Sequence, residues 1–180
     1  MKKWQTLSSK KVYSSPYLTV YEHDVIRPNN VRAPYYSIER RNFSVVIPLN
    51  DKKETYLVSQ YRYPTSRYSW EFPMGSVVNK TPLEMAQQEL GEETGITAKE
   101  WREIGSFYIA NSISNQKVSV FVAQSLSLGK PHPEENELLE VQKISIKKVD
   151  MMIAQGKILD GPTICAFHLL EVYLNKSSNL

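Results

Sequence analysis

Thr81-Pro82-Leu83-Glu84-Met85-Ala86-Gln87-Gln88-Glu89-Leu90-Gly91-Glu92-Glu93-Thr94-Gly95 reads as one helix with both ends marked. Thr81 is a capping residue, Pro82 suits the first helical position, and Glu84 completes a capping box with Thr81. Gly95 is placed to end the helix in a left-handed conformation. Leu83, Ala86 and Leu90 recur at helical spacing, so one face packs on a core. The spacing predicts a helix over 81–94.

Glu89, Glu92 and Glu93 fall at i, i+3 and i+4, which brings their carboxylates onto one face. They crowd the last two turns, where the helix dipole disfavours anions by about 0.3–1 kcal/mol each. The helix contains no Lys or Arg to offset them. A solvated acidic face is one reading. The other is a face neutralised by a divalent cation, for which oxygen donors favour Mg²⁺ or Mn²⁺ over zinc.

Outward from this helix, the chain is richer in strands than in helices. Strands are expected over 17–26, 35–41, 43–49 and 55–63, with 43–63 forming a hairpin. The run Phe43-Ser44-Val45-Val46-Ile47-Pro48-Leu49 is nearly continuous in apolar character, the pattern of a strand buried on both faces. Residues 64–74, rich in aromatics and proline, read as irregular. Further strands are expected over 101–110, 117–124 and 138–146, a short helix over 149–155, and a last helix over 163–174. This order does not alternate as a doubly wound sheet does. The fold class is α/β (α+β), with helices packed on mixed sheets.

Composition sets wide limits. At 180 residues with 41% hydrophobic and 23% charged side chains, the chain can bury a core. The net charge of +3 demands neither a nucleic-acid nor a membrane partner. No apolar run approaches the roughly 18 residues of a membrane span, and no signal peptide is visible behind Met1-Lys2-Lys3. A cytoplasmic location is expected. Cys165, the one cysteine, excludes an internal disulfide and is expected to be a small buried hydrophobe. His23, His132 and His168 are scattered, which argues against zinc. Lys2, Lys3, Lys10 and Lys11 read as a solvated basic tail.

The stretch Glu89-Leu90-Gly91-Glu92-Glu93-Thr94-Gly95-Ile96 resembles the second half of the Nudix hydrolase motif, G-x5-E-x7-R-E-U-x-E-E-x-G-U, where U is a bulky aliphatic. Gln60-Tyr61-Arg62-Tyr63-Pro64, Trp70-Glu71-Phe72-Pro73-Met74-Gly75 and Gly156-Lys157-Ile158-Leu159-Asp160-Gly161 are similar to the ADP-sugar (ADP-ribose) pyrophosphatase branch. The resemblance spans about residues 12–170. Three departures stand out. The loop after Gly75 is one residue short, and Lys80 and Gln88 stand where the motif has Glu and Arg. The proline that the ADP-ribose branch usually carries about sixteen residues past the box has no counterpart in Tyr108-Ile109-Ala110-Asn111-Ser112.

The resemblance implies an α/β/α sandwich over 43–180, preceded by an N-terminal β region over 1–42 that pairs two subunits into a homodimer. It implies metal-assisted hydrolysis of the pyrophosphate bond in a nucleotide sugar such as ADP-ribose. Glu89 and Glu93 would be metal ligands, with Glu92 ligating or bridging through water and the Met74 carbonyl adding a donor. Arg62 and Glu71 would serve substrate binding, although Arg62 simply paired with Glu71 is an equal reading of those residues. The general base would come from Glu134-Glu135-Asn136-Glu137, Glu135 before Glu137. Lys80 and Gln88 also leave room for a nucleotide-binding Nudix fold with weak or no catalysis.

Overall fold

The computed structural model describes residues 2–132 and 139–177. Among these the chain runs β1 (Gln5–Ser14), β2 (Leu18–Ile26), β3 (Arg32–Arg40), β4 (Phe43–Pro48), β5 (Glu54–Arg62), β6 (Arg67–Glu71), β7 (Met74–Ser76), α1 (Pro82–Thr94), β8 (Ile96–Tyr108), β9 (Lys117–Leu128), β10 (Glu140–Ser145), α2 (Ile146–Ala154) and α3 (Gly161–Ser177). Two compact units result. One comprises the chain up to Asn42 with Tyr108–Lys117; the other comprises Phe43–Phe107 and the chain from Val118 onward.

The first unit holds the antiparallel sheet β1-β2-β3. Only Val25 among its described strand residues is a buried hydrophobe, while Trp4, Leu7, Val12, Tyr13, Tyr17 and Tyr36 stay exposed. The lysines of the expected basic tail are exposed, but Lys10 and Lys11 lie in a strand, β1, in register with Glu22 and Tyr21 on β2.

The second unit is built on a four-stranded sheet, β7-β4-β9-β8, and an antiparallel three-stranded sheet, β10-β5-β6. β4 runs parallel to β9 and antiparallel to β7. Its apolar run is divided between two cores, as period-two geometry requires. Val45 and Ile47 join Val120, Phe72, Phe167 and Leu170 in one cluster. Val46 joins Ala86, Leu90, Ile96 and Phe121 beneath α1 in the other. Helices thus cover both faces of the sheet, α1 on one and α3 on the other.

The expected 43–63 hairpin does not form. Next to the turn a single bridge, Leu49–Thr55, links β4 and β5, and the two strands belong to different sheets, because β7 and β9 occupy both edges of β4. Residues 64–74 are more regular than expected: after a 3₁₀ turn at Tyr63–Thr65, β6 pairs with β5 and β7 with β4. Cys165 is exposed rather than buried. Ala166 and Phe167 take the inward positions of α3, and helical geometry leaves Cys165 facing out.

Candidate active site

The helix that decides the site is held at both ends. Glu84 N–H donates to Thr81 Oγ1 at 3.2 Å, and the Thr81 N–H donates to Glu84 Oε2 at 2.7 Å, closing the capping box. Ser44 Oγ donates to the Pro82 carbonyl at 2.7 Å, tying the start of α1 to β4. At the other end Gly95 has φ 71°, and its N–H donates to the Gly91 carbonyl at 2.9 Å. A side chain at Gly95 would also collide with Lys130 and Pro131, with a Cβ 2.5 Å from the Lys130 carbonyl carbon.

With α1 fixed, its acidic end acquires three distinct environments. Glu89 lies over Gly75: a Cβ there would stand 1.8 Å from Glu89 Oε1. Gly75 sits on β7 beside Met74, which pairs with Val45 of β4. Glu92 accepts from Gln88 Nε2 at 2.9 Å. Gln88 in turn accepts from Lys80 Nζ. Glu93 is buried at 6% exposure. A plain solvated acidic face is therefore not what α1 presents. Among the described residues, no three His, Cys, Asp or Glu side chains converge as a ready-made metal cage.

A second group of charges comes from β5, β6 and the start of α3. Arg62 Nε donates to Glu71 Oε1 at 2.9 Å, and Nη2 donates to Glu71 Oε2. Glu71 is buried, whereas the Arg62 side chain is 42% exposed. Nη1 carries two further N–H groups. The hydrogen bonds that Arg62 donates to Glu71 keep its guanidinium more firmly charged than usual; burial opposes this, and the charges of Glu71, Asp160 and Glu93 add to it. Asp160, which the sequence marked only as part of a resembling tail, thus belongs with the site. Burial, then the charge of Glu71, pushes its carboxyl above the ordinary aspartate range. Its Oδ2 accepts from the Thr163 N–H at 2.8 Å and caps α3. Thr163 Oγ1 accepts from the Phe72 N–H at 3.1 Å, locking that cap to the residue after Glu71.

Glu135 and Glu137, with Glu134, lie outside the described residues. The chain leaves β9 and reaches that segment beside the end of α1, where the His132 N–H donates to the Glu92 carbonyl at 2.8 Å.

The donors at the end of α1 suit a hard divalent cation in chemistry. All are oxygens, Glu89 lies in a space that only glycine leaves open, and carboxylates outnumber the cations Arg62 and Lys80.

Residues 4–38 match the model of the nucleoside diphosphate sugar hydrolase N-terminal domain, and residues 39–167 match the NUDIX domain. The chain belongs to the Nudix hydrolase family. This Nudix chain is 27% identical over 171 residues to an ADP-ribose pyrophosphatase of Bacillus subtilis (strain 168), covering 93% of this chain and 92% of that protein. It is 26% identical over 156 residues to a GDP-mannose pyrophosphatase of Yersinia pestis (strain Pestoides F), covering 78% and 76%. A solved structure described as an ADP compounds hydrolase matches 100% of this chain and 98% of its own with a TM-score of 0.86 at 22% identity, a likeness of fold.

Proposed function

We propose that this Nudix chain hydrolyses the pyrophosphate bond of a nucleoside diphosphate linked to another group, a nucleotide sugar such as ADP-ribose. The observation that carries the reading is the acidic end of α1, with Glu93 buried and Glu89 lodged on Gly75 beside Met74. The similarity to an ADP-ribose pyrophosphatase over 93% of the chain supports it.

In this reading Glu89 and Glu93 hold a divalent cation, Mg²⁺ or Mn²⁺, with Glu92 holding it directly or through water and the Met74 carbonyl as a further donor. Such a cation shields the anionic diphosphate and stabilises charge as it develops. Arg62 pairs with phosphate oxygens through the N–H groups that Glu71 does not use, and Glu71 fixes its direction. Glu135, with Glu137 as the other choice, accepts the proton of the attacking water. The water oxygen bonds to one phosphorus, the bridging P–O bond breaks, and its electron pair leaves on the other phosphate. Entry of the base-carrying segment next to the Glu92 carbonyl suits that role.

The region over 1–42 is read as a dimer-forming β region and that over 43–180 as the hydrolase. Exposed Trp4, Leu7, Val12 and Tyr13 favour a homodimer built on this sheet. No helix among the described residues is long and apolar enough to cross a membrane. The reading places the protein in the cytoplasm with a small-molecule substrate and needs neither nucleic acid nor membrane.

The test is a panel of nucleotide sugars with Mg²⁺ or Mn²⁺ and products identified by mass spectrometry. ADP-ribose should give AMP and ribose 5-phosphate. No hydrolysis of any member, together with a higher melting temperature in its presence, would replace the enzyme with a binding protein.

A further inference from the structure

We infer that Lys80 is a positioning residue that sets the carboxylate of Glu92 through the side-chain amide of Gln88. The inference rests on the reading of α1 as the metal-holding helix. Lys80 Nζ donates to Gln88 Oε1, and Gln88 Nε2 donates to Glu92 Oε1 at 2.9 Å. An ammonium can only donate, and an ionised carboxylate can only accept. The amide between them therefore has one orientation that satisfies both neighbours: oxygen towards Lys80, nitrogen towards Glu92. Lys80 acts on Glu92 by fixing the direction of that amide.

Two further observations give the relay its weight. α1 has no basic residue of its own in its last turn. Arg62, a cation on which the charge of Glu93 bears, is engaged by Glu71. Lys80 also faces Glu84, whose carboxylate it favours, but that residue is held by the capping box at the opposite end of the helix. The relay spans from the loop before α1 to its acidic end and leaves Glu89 and Glu93 to their own environments.

Reversing the charge at position 80 separates this arrangement from a plain field effect. In Lys80→Glu the new carboxylate accepts, the amide turns its nitrogen to it, and the amide oxygen then faces Glu92, acceptor against acceptor. In the double variant Lys80→Glu/Gln88→Arg, a guanidinium donates to both carboxylates and restores the hold on Glu92. Gln88→Leu breaks the relay with no change of charge.

The experiment is calorimetric titration of the full chain with Mn²⁺ alone, the fold being followed by circular dichroism. Lys80 is exposed, so its variants should fold. The relay predicts that Lys80→Glu and Gln88→Leu weaken Mn²⁺ binding about tenfold or more, the usual cost of losing a partner that orients a metal ligand. The double variant should recover most of the loss. A field effect predicts the reverse order: tightest binding in Lys80→Glu, intermediate in the double variant, and no change in Gln88→Leu. That order, or equal affinity throughout, overturns the inference. Absence of Mn²⁺ uptake by the wild-type chain is a different failure, since it removes the metal-holding reading of α1 and the relay's role with it.

Discussion

Glu89 Oε1 lies 1.8 Å from the point where a Cβ on Gly75 would stand. The strand before the helix and the acidic end of the helix are fitted to each other at that point by the absence of one carbon atom.

Gly75→Ala should therefore damage function more than stability. The atoms a methyl would meet are Oε1, Cδ and Cγ of one glutamate side chain, whose free end can swing aside. We expect the melting temperature to stay close to wild type while kcat/KM falls about a hundredfold, the scale expected for an ångström of misplacement. Full activity in this variant would show that the position of Glu89 is immaterial to the reaction.

Glu93→Gln keeps the shape of a buried side chain and removes its charge. Hydrolysis should fall by two orders of magnitude or more, since a metal-held transition state draws several kcal/mol from such ligands, roughly. The wild-type melting temperature should rise with Mn²⁺ by linkage, and that of the variant much less. An equal rise in both would remove Glu93 from the ligand set.

Asp160 gives a pH-dependent prediction. Its carboxyl is raised in the folded protein, chiefly by burial and then by the charge of Glu71. A raised group supports the fold below its unfolded pKa, and that support is lost as pH climbs through the folded value. Asp160→Asn retains an oxygen to accept from the Thr163 N–H and drops the buried charge. Denaturant unfolding should find the variant at least as stable as wild type at pH 7. The two should converge as pH falls below about 4, near the ordinary aspartate value. A variant less stable at pH 7 but not at pH 4 would reverse the sign and show that ionised Asp160 stabilises the fold, with Arg62 as the evident partner.

Glu135→Gln should lower kcat by about 10²–10⁴, the range for a general base, with Mn²⁺ affinity nearly unchanged. Should Glu137→Gln show that loss and Glu135→Gln none, the base is Glu137.

Leu7→Glu places a charge on an exposed strand position of β1. Size exclusion with light scattering should give a dimer for the wild-type chain and a shift towards monomer for the variant. A wild-type monomer would dismiss the pairing of subunits through this sheet.

What could be read from the residues alone followed local periods. The capping box, the terminal Gly95 and the apolar stripe of Leu83, Ala86 and Leu90 depend on spacings of three or four residues, and α1 forms where they place it. The doubly buried character of β4 was likewise visible in its apolar run. Its pairing was not. A run equally apolar on both sides carries no mark of its neighbours, so the hairpin with β5 was as consistent with the pattern as the observed pairing with β7 and β9. β1 falls in the expected N-terminal β region, but its bounds carry no local mark: its residues are all exposed, so no buried side alternates along it.

The motif helix, its three carboxylates at i, i+3 and i+4, and membership of the Nudix family are legible in the residues alone, because each is a matter of residue types at short fixed spacings. The tertiary structure alone decided that Glu93 is buried, that Glu89 fills the space above Gly75, that Arg62 is bound to Glu71 with Asp160 nearby, and that Lys80 reaches Glu92 through Gln88. Those relations join different strands, loops and helices, and only packing of the two cores brings such elements within reach of one another.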